Sequence, residues 1–344
     1  VWDLDAAESR VVFKGCDHQL TGIELARDGE WVAFGSGDSN NLILHLNNRS
    51  EQVLTGHKGM VRDLALTLDQ TRLLSAGDDG VVMIWSMPDG QCLGSLTGHD
   101  AAILAVAITA DGKRVISGGR DRNICVWDLQ SMDLAGTLEA HAGHVRCLAL
   151  APEADEMVTG STDQTIRVWD LDAAAAPSSA SVHRGPVSML ASSSVGDRVV
   201  SASFGEALGV WQLSGVVDHQ AADPSCPGGR PECLGVLEGH RGPLHALQLS
   251  DDGRWAVAAG HDRTIRKWDL RTRQCVREFA GHSRAVVYVD ASANAKRFVS
   301  LGRDRVVMAW DASKSEPQRV LVSEDNMGAL AGFRTRASLA IDVE

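Results

Sequence analysis

The feature that most constrains this chain is a repeat. The segment Val126-Trp127-Asp128-Leu129 returns as Val168-Trp169-Asp170-Leu171 and Lys267-Trp268-Asp269-Leu270, with looser copies ending at Trp85, Trp211 and Trp310 and one more at Val1-Trp2-Asp3-Leu4. With Ile43-Leu44-His45-Leu46 as a degenerate copy, the key positions are 2, 44, 85, 127, 169, 211, 268 and 310, at spacings of 42, 41, 42, 42, 42, 57 and 42 residues. The interval of 57 is one unit plus a 15-residue insertion. His57, His99, His141, His183, His240 and His282 each precede a Trp by 28 residues, and Cys16 stands 28 before Leu44. The first unit thus keeps the register without either signature side chain. A fixed period of this length builds modules that bury their apolar faces on one another.

Inside one unit the apolar residues fall in short runs, 105–108, 114–117 and 124–127, with a fourth at 134–138 before the next His. Asp111-Gly112 and the polar stretch 120–123 separate the first three and read as hairpin turns. No run of ten or more residues has helical periodicity, so almost no helix is expected. Six His/Trp pairs at one spacing resemble the WD-repeat family, and the resemblance covers essentially the whole chain. It implies an all-β fold, a β-propeller of four-stranded antiparallel blades packed around a central channel. The units are expected at about 15–55, 56–97, 98–139, 140–181, 182–238 with an insertion at 214–232, 239–280 and 281–322, forming a single propeller over 1–344.

Eight Trp-type positions, with first and second strands upstream of only seven, point to eight blades. The eighth would be a composite closing blade from 1–14 plus 323–344, drawing two strands from 329–333 and 338–343 and its outer strand from 10–13. Such a clasp would remove exposed sheet edges. The alternative is seven blades with frayed ends. The chain begins inside a repeat and without Met, as a fragment of a longer protein would.

In the family, a Trp, a hydroxyl, a His and a turn Asp form a hydrogen-bonded chain inside each blade. Counted from the His, the hydroxyl falls at +18, the Asp at +22 and the Trp at +28. Four units carry the full set: His57, Ser75, Asp79, Trp85; His99, Ser117, Asp121, Trp127; His141, Thr159, Asp163, Trp169; and His282, Ser300, Asp304, Trp310. Ala258 replaces the hydroxyl after His240, Gly205 replaces the Asp after His183, and the unit from Cys16 keeps only Asp38, with Phe34 and Leu44 at the other positions. Those three blades are expected to be the softer ones. A His, a Ser and an Asp within reach of one another also suit a nucleophile, but a catalytic site occurs once and opens into a cleft. A set repeated four times reads as structural.

Other chemistry finds little support. The formal charge of −12 opposes binding to a nucleic-acid backbone. No apolar stretch approaches the roughly 20 residues that cross a bilayer. Seven cysteines suit reduced thiols in the cytoplasm or nucleus. Cys92, Cys233 and Cys275 occupy equivalent outer-strand positions, which argues against a metal cluster, while a disulfide between Cys226 and Cys233 across the insertion is the alternative to free thiols. His141 and His144 lack a repeated partner spacing for zinc, and neither a phosphate-binding loop nor a dinucleotide fingerprint is present. No cofactor is expected.

Binding is therefore the expected role, that of a non-catalytic scaffold for protein–protein interaction, gripping a peptide or protein on the narrow face of the propeller. The alternatives are a sensor or docking domain of a larger protein and an enzyme with a site in the channel. The resemblance places partner contacts at the residue before the turn Asp, which is Gly37, Asp78, Arg120, Thr162, Phe204, His261 or Arg303. It places others five residues after the His position, at Thr21, Arg62, Leu104, Arg146, Ser188, His245 and Val287. The candidates are Arg62, Asp78, Arg120, Arg146, His245, His261 and Arg303: four Arg and two His against one acid. On an acidic protein this points to an acidic or phosphorylated partner segment, unless each Arg pairs with an acid beside it.

Overall fold

A computed structural model describes residues 2–3, 8–9, 20–26, 30–46, 50–139, 141–150, 156–171, 178–193, 198–204, 207–213, 232–314, 316–317 and 319–322. The third unit shows how the repeat folds. Its strands are Ile103–Ile108, Arg114–Gly119, Asn123–Asp128 and Leu134–Glu139, hydrogen-bonded in that order as an antiparallel meander. At the first turn the Asp111 carboxylate accepts from the Thr109 hydroxyl at 2.6 Å and from the Lys113 N–H at 3.0 Å, and Gly112 takes φ +69°. At the second, Asp121 accepts from the N–H of Asn123 at 3.1 Å, and Arg122 holds φ +73°. Ser39, Gly80, Gln164, Arg263 and Arg305 repeat that left-handed turn, each directly after its turn Asp. Short polar side chains that bond their own backbone two residues on are what make these turns tight.

Seven such four-stranded sheets are present, numbered as blades in chain order, and no helix occurs among the described residues. They are all-β blades of the propeller type. The first runs from Leu20–Leu25 to Glu51–Thr55, the second from Val61–Leu66 to Cys92–Thr97, the fourth from Val145–Leu150 to Ser178–Ala180 and the fifth from Val187–Ser192 to Glu232–Leu237. The sixth has strands Leu244–Leu249, Trp255–Gly260, Thr264–Asp269 and Gln274–Ala280; the seventh has Val286–Ala291, Arg297–Gly302, Val306–Asp311 and Arg319–Val322. Blades one to three belong to one compact unit and blades four to seven to another, Ala140–Val322.

Among the described residues the count is seven, the alternative, and not eight. The N-terminal segment forms only a two-stranded sheet, Trp2–Asp3 against Glu8–Ser9. Just four residues separate these strands, so the chain turns back before reaching 10–13, where the outer strand is expected, and a short connection fixes register. Residues 10–13, 329–333 and 338–343, and most of the insertion at 214–232, lie outside the described residues.

Within each unit the apolar faces of successive blades share cores. Leu74, Ile84 and Leu96 of the second blade pack with Val106, Val115 and Trp127 of the third, and Phe279 of the sixth packs with Phe298 and Trp310 of the seventh. Trp85, Trp127, Trp211, Trp268 and Trp310 are all buried. Cys92, Cys233 and Cys275 stand directly opposite Trp85, Trp211 and Trp268 in strand register. Cys92 and Cys275 are free thiols, but Cys233 is disulfide-bonded, so reduced thiols do not account for every cysteine.

Candidate functional site

In the second blade the His57 imidazole lies 2.9 Å from the Asp79 carboxylate through Nδ1 and 2.8 Å from Ser75 Oγ through Nε2, and Trp85 Nε1 donates to the same Oγ at 2.9 Å. One proton arrangement satisfies all four groups. A carboxylate only accepts, so Nδ1 carries the proton; Nε2 then accepts from the hydroxyl, which is left free to accept from the indole. The same contacts recur at 2.7, 2.8 and 3.0 Å through His99, Asp121, Ser117 and Trp127, and at 2.9, 2.8 and 2.9 Å through His141, Asp163, Thr159 and Trp169. In the seventh blade His282, Asp304, Ser300 and Trp310 stand at 3.0, 2.8 and 2.8 Å. Ser75, Ser117, Thr159 and Ser300 are fully buried beneath their indoles, so no substrate reaches these hydroxyls.

The carboxylates also tie down the loops. Asp79, Asp121, Asp163, Asp262 and Asp304 each accept from the backbone N–H of the residue after the His, at 2.7–3.1 Å. Burial works against the charge of Asp163, but hydrogen bonds from Thr165 and His141 outweigh it and hold its pKa at about 2. Where the set is incomplete the defect is visible. In the sixth blade His240 meets Asp262 at 2.8 Å, but with Ala258 in the hydroxyl position its Nε2 is buried without a partner. In the fifth, His183 reaches Ser201 at 2.6 Å with no turn carboxylate, and burial pushes its pKa down to about 4. In the first, the apolar Leu44 is buried in place of the Trp.

Above this frame lie the partner-contact positions. The N–H groups of Asp78, Arg120, Thr162, Phe204, His261 and Arg303 donate to the carbonyls of Met60, Ala102, His144, Pro186, Pro243 and Ala285 at 2.8–3.2 Å, which brings both candidate sets to one end of each blade. A second feature escapes the sequence. In all seven blades the first strand pair slips register by one residue, across Leu20/Gly22, Val61/Asp63, Ile103/Ala105, Val145/Cys147, Val187/Met189, Leu244/Ala246 and Val286/Tyr288. The residue that the strand ladder skips is Thr21, Arg62, Leu104, Arg146, Ser188, His245 or Val287, so every position of the second set is a β-bulge. A bulge frees one residue from the ladder and re-aims its side chain.

The candidates differ in what they touch. Arg62 grips Asp78 with both arms of its guanidinium, at 2.7 and 2.6 Å, and the two cancel one another. The guanidinium of Arg146 stacks 5.5 Å over the exposed Phe204 ring. The half-buried His245 faces His261 with ring centroids 6.3 Å apart, and burial first, then Arg303 and His261, lower its pKa. Arg120 and Arg303 are exposed and meet no carboxylate among the described residues. His261 and Arg303 also line a cleft with Arg241, Arg263 and Arg284, three residues that the repeat pattern does not single out. The signal for them lies in the residues after the repeat His and after the turn Asp. Among the described residues no cluster of His, Cys, Asp or Glu is arranged to hold a metal, and no helix is long and apolar enough to cross a membrane.

Comparison with known proteins agrees with this architecture. The family model of the WD domain, G-beta repeat, matches residues 48–86, 90–128, 132–170, 231–269 and 273–311. The stretches it leaves out contain the Cys16 unit and the His183 unit, two of the three with incomplete sets. WD repeat-containing protein 18 of Homo sapiens is 40% identical over 45 residues, 13% of this chain and 10% of that protein. F-box/WD repeat-containing protein 10 of Mus musculus is 36% identical over 58 residues, 17% of this chain and 6% of that protein. The probable E3 ubiquitin ligase complex SCF subunit sconB of Aspergillus terreus is 40% identical over 47 residues, 14% and 7% of the two chains. The matched stretches thus span a tenth or less of these relatives' length. WD-repeat proteins generally serve as protein-interaction scaffolds. With five repeats matched across more than half its length, the chain belongs to the WD-repeat family.

Proposed function

We propose that this chain is a non-catalytic scaffold that holds a peptide or protein partner at the blade ends where the turns and bulged residues meet, on the narrow face of the propeller, as a subunit of a larger intracellular complex. The observation that carries this reading is the contrast between frame and surface. Beneath the ends of four blades the His, hydroxyl, Asp and Trp recur at the same distances, whereas the bulged residues of the seven blades are Thr, Arg, Leu, Arg, Ser, His and Val. A constant support with a varied surface suits recognition of one partner, and a chemical step would need a convergent polar site instead. Arg120 and Arg303 are the exposed candidates without a carboxylate, and they favour an acidic partner segment. The name of sconB, a complex subunit, supports work within an assembly. A second reading, docking domain of a larger protein, draws on the F-box relative, whose name joins the WD repeat to another module.

The test is capture of partners from cell extract, read by mass spectrometry, with the wild-type chain and the double variant Arg120→Glu/Arg303→Glu. Both side chains are exposed, so the melting temperature should stay within about 1 °C while capture is lost. Equal capture by both proteins would refute the proposed face.

A further inference from the structure

The sixth and seventh blades pack side by side through Leu244–Leu249 and Val286–Ala291 and leave a cleft of about 970 Å³ at the end that carries their turns. Its walls are the loop at Gly239 and Arg241, the turn from His261 to Arg266, the loop from Ser283 to Ala285, and Arg303. Five arginines and a histidine therefore line one opening on a chain whose formal charge is −12.

The two acids in the cleft do not neutralise it. Asp262 is bound to His240 at 2.8 Å and to the backbone N–H groups of Arg241 and Thr264 at 3.0 and 3.2 Å. Glu278 pairs with Arg266 at 2.8 Å. That leaves Arg241, Arg263, Arg284 and Arg303 without a carboxylate among the described residues. Like charges lining a common opening repel, and the repulsion is relieved only by water, salt or a bound anion.

A second observation points the same way. Thr264 Oγ1 and Arg266 Nε, both in the cleft wall, are buried without a hydrogen-bond partner. Buried polar groups are paired in most native sites, and these two can donate to an oxyanion. Gly239 makes room for Arg266: it holds φ +145°, and a Cβ there would collide with the Arg266 guanidinium. Behind the wall lies His245, its Nε2 also buried and unpaired, with its ring facing His261.

We propose that this cleft binds the phosphate monoester of a phosphorylated serine or threonine in a partner segment, with Arg241, Arg263, Arg284 and Arg303 as its guanidinium donors. The inference rests on the scaffold reading and adds the chemistry of the ligand. A phosphate monoester near neutral pH carries close to two charges and three acceptor oxygens, so it can engage several planar forks, whereas a single carboxylate engages one. Four guanidinium groups without a carboxylate among the described residues gather in one cleft of an acidic chain, which suits a compact anion over an extended polyanion.

The experiment presents the full chain with an immobilised degenerate peptide library carrying a fixed central phosphoserine or phosphothreonine, alongside the unphosphorylated library and vesicles containing phosphoinositides. Retention on the phosphorylated library should exceed that on its counterpart by at least about tenfold and fall as salt rises from about 50 to about 500 mM. Arg263→Gln/Arg303→Gln should lower retention by at least about tenfold with an unchanged melting temperature, and Arg241→Gln/Arg284→Gln should do the same if the first pair folds poorly. Equal retention on the two libraries, retention unchanged in both double variants, or binding to the vesicles alone would overturn the proposal. The two readings fail separately. Partner capture that needs Arg120 while the libraries are retained equally keeps the scaffold and removes the phosphate site; phosphopeptide retention with no partner captured from extract does the reverse.

Discussion

Ala258→Ser supplies the hydroxyl that the sixth blade lacks, and so tests the internal frame by completing it. Ala258 is fully buried on Trp255–Gly260, and His240 Nε2 has no partner. Elsewhere the hydroxyl sits 2.8 Å from the imidazole and 2.8–3.0 Å from the indole. Without it the two rings draw together: their centroids are 5.4 Å apart for His240 and Trp268, against 6.4 Å for His141 and Trp169. An unpaired buried nitrogen costs about 1–3 kcal/mol, and each hydrogen bond formed contributes about 1 kcal/mol net. Against this stand the burial of a hydroxyl and the reopening of about 1 Å between the rings, together about 1 kcal/mol. With the nitrogen's relief counted once and the indole bond beside it, a net gain of about 1–3 kcal/mol follows, a rise of roughly 1–4 °C in melting temperature for a chain of this length. Calorimetry gives the stability, and hydrogen exchange at the Trp268 indole N–H gives the local effect, which should be slower exchange. A lower melting temperature together with unchanged exchange would refute the reasoning, because the hydroxyl would then not be the missing strut.

Trp127→Ala removes an indole that is 1% exposed in the core shared by the second and third blades, and should destabilise the protein by about 3–5 kcal/mol in a thermal or urea melt. Acidification should weaken the fold in two steps. His183 has a folded pKa of about 4 against the ordinary 6.5, so it is neutral when native; its contribution is complete above pH 6.5 and is lost as pH falls toward 4, by something of the order of 3 kcal/mol. Asp163, held at about 2 against 3.8, contributes above 3.8 and loses that contribution as pH falls toward 2. Urea titrations across this range should show His183→Gln flattening the upper step; an unchanged upper step would assign it to other groups.

The parts of this molecule legible in its sequence are those set by spacing within one unit. A meander of four strands keeps His, hydroxyl, Asp and Trp at constant offsets, so contacts such as His99 to Asp121 and Ser117 can be counted out from the chain alone. The blade number was not legible because terminal strands depend on what pairs with them, and the Trp2–Asp3 copy of the motif sits in a two-stranded sheet. The bulges left no trace, since a one-residue slip between Ile103 and Ala105 changes neither composition nor period. Charge pairing was only half visible. Arg62 and Asp78 both carried the candidate signature, yet their mutual ion pair depends on a bulge placing one above the other. Arg241, Arg263 and Arg284 come together from separate loops of two blades, and side-by-side packing has no counterpart in the local pattern.

The slipped residue at the head of every inner strand has a consequence for how such a protein can change. A residue that stands outside the ladder can be exchanged without disturbing the strand pairing around it, and in the five blades that have both groups the imidazole and carboxylate beneath continue to hold the loop. Seven such sites, one per blade, can therefore be altered one at a time, and specificity can drift toward a new target while the architecture stays intact.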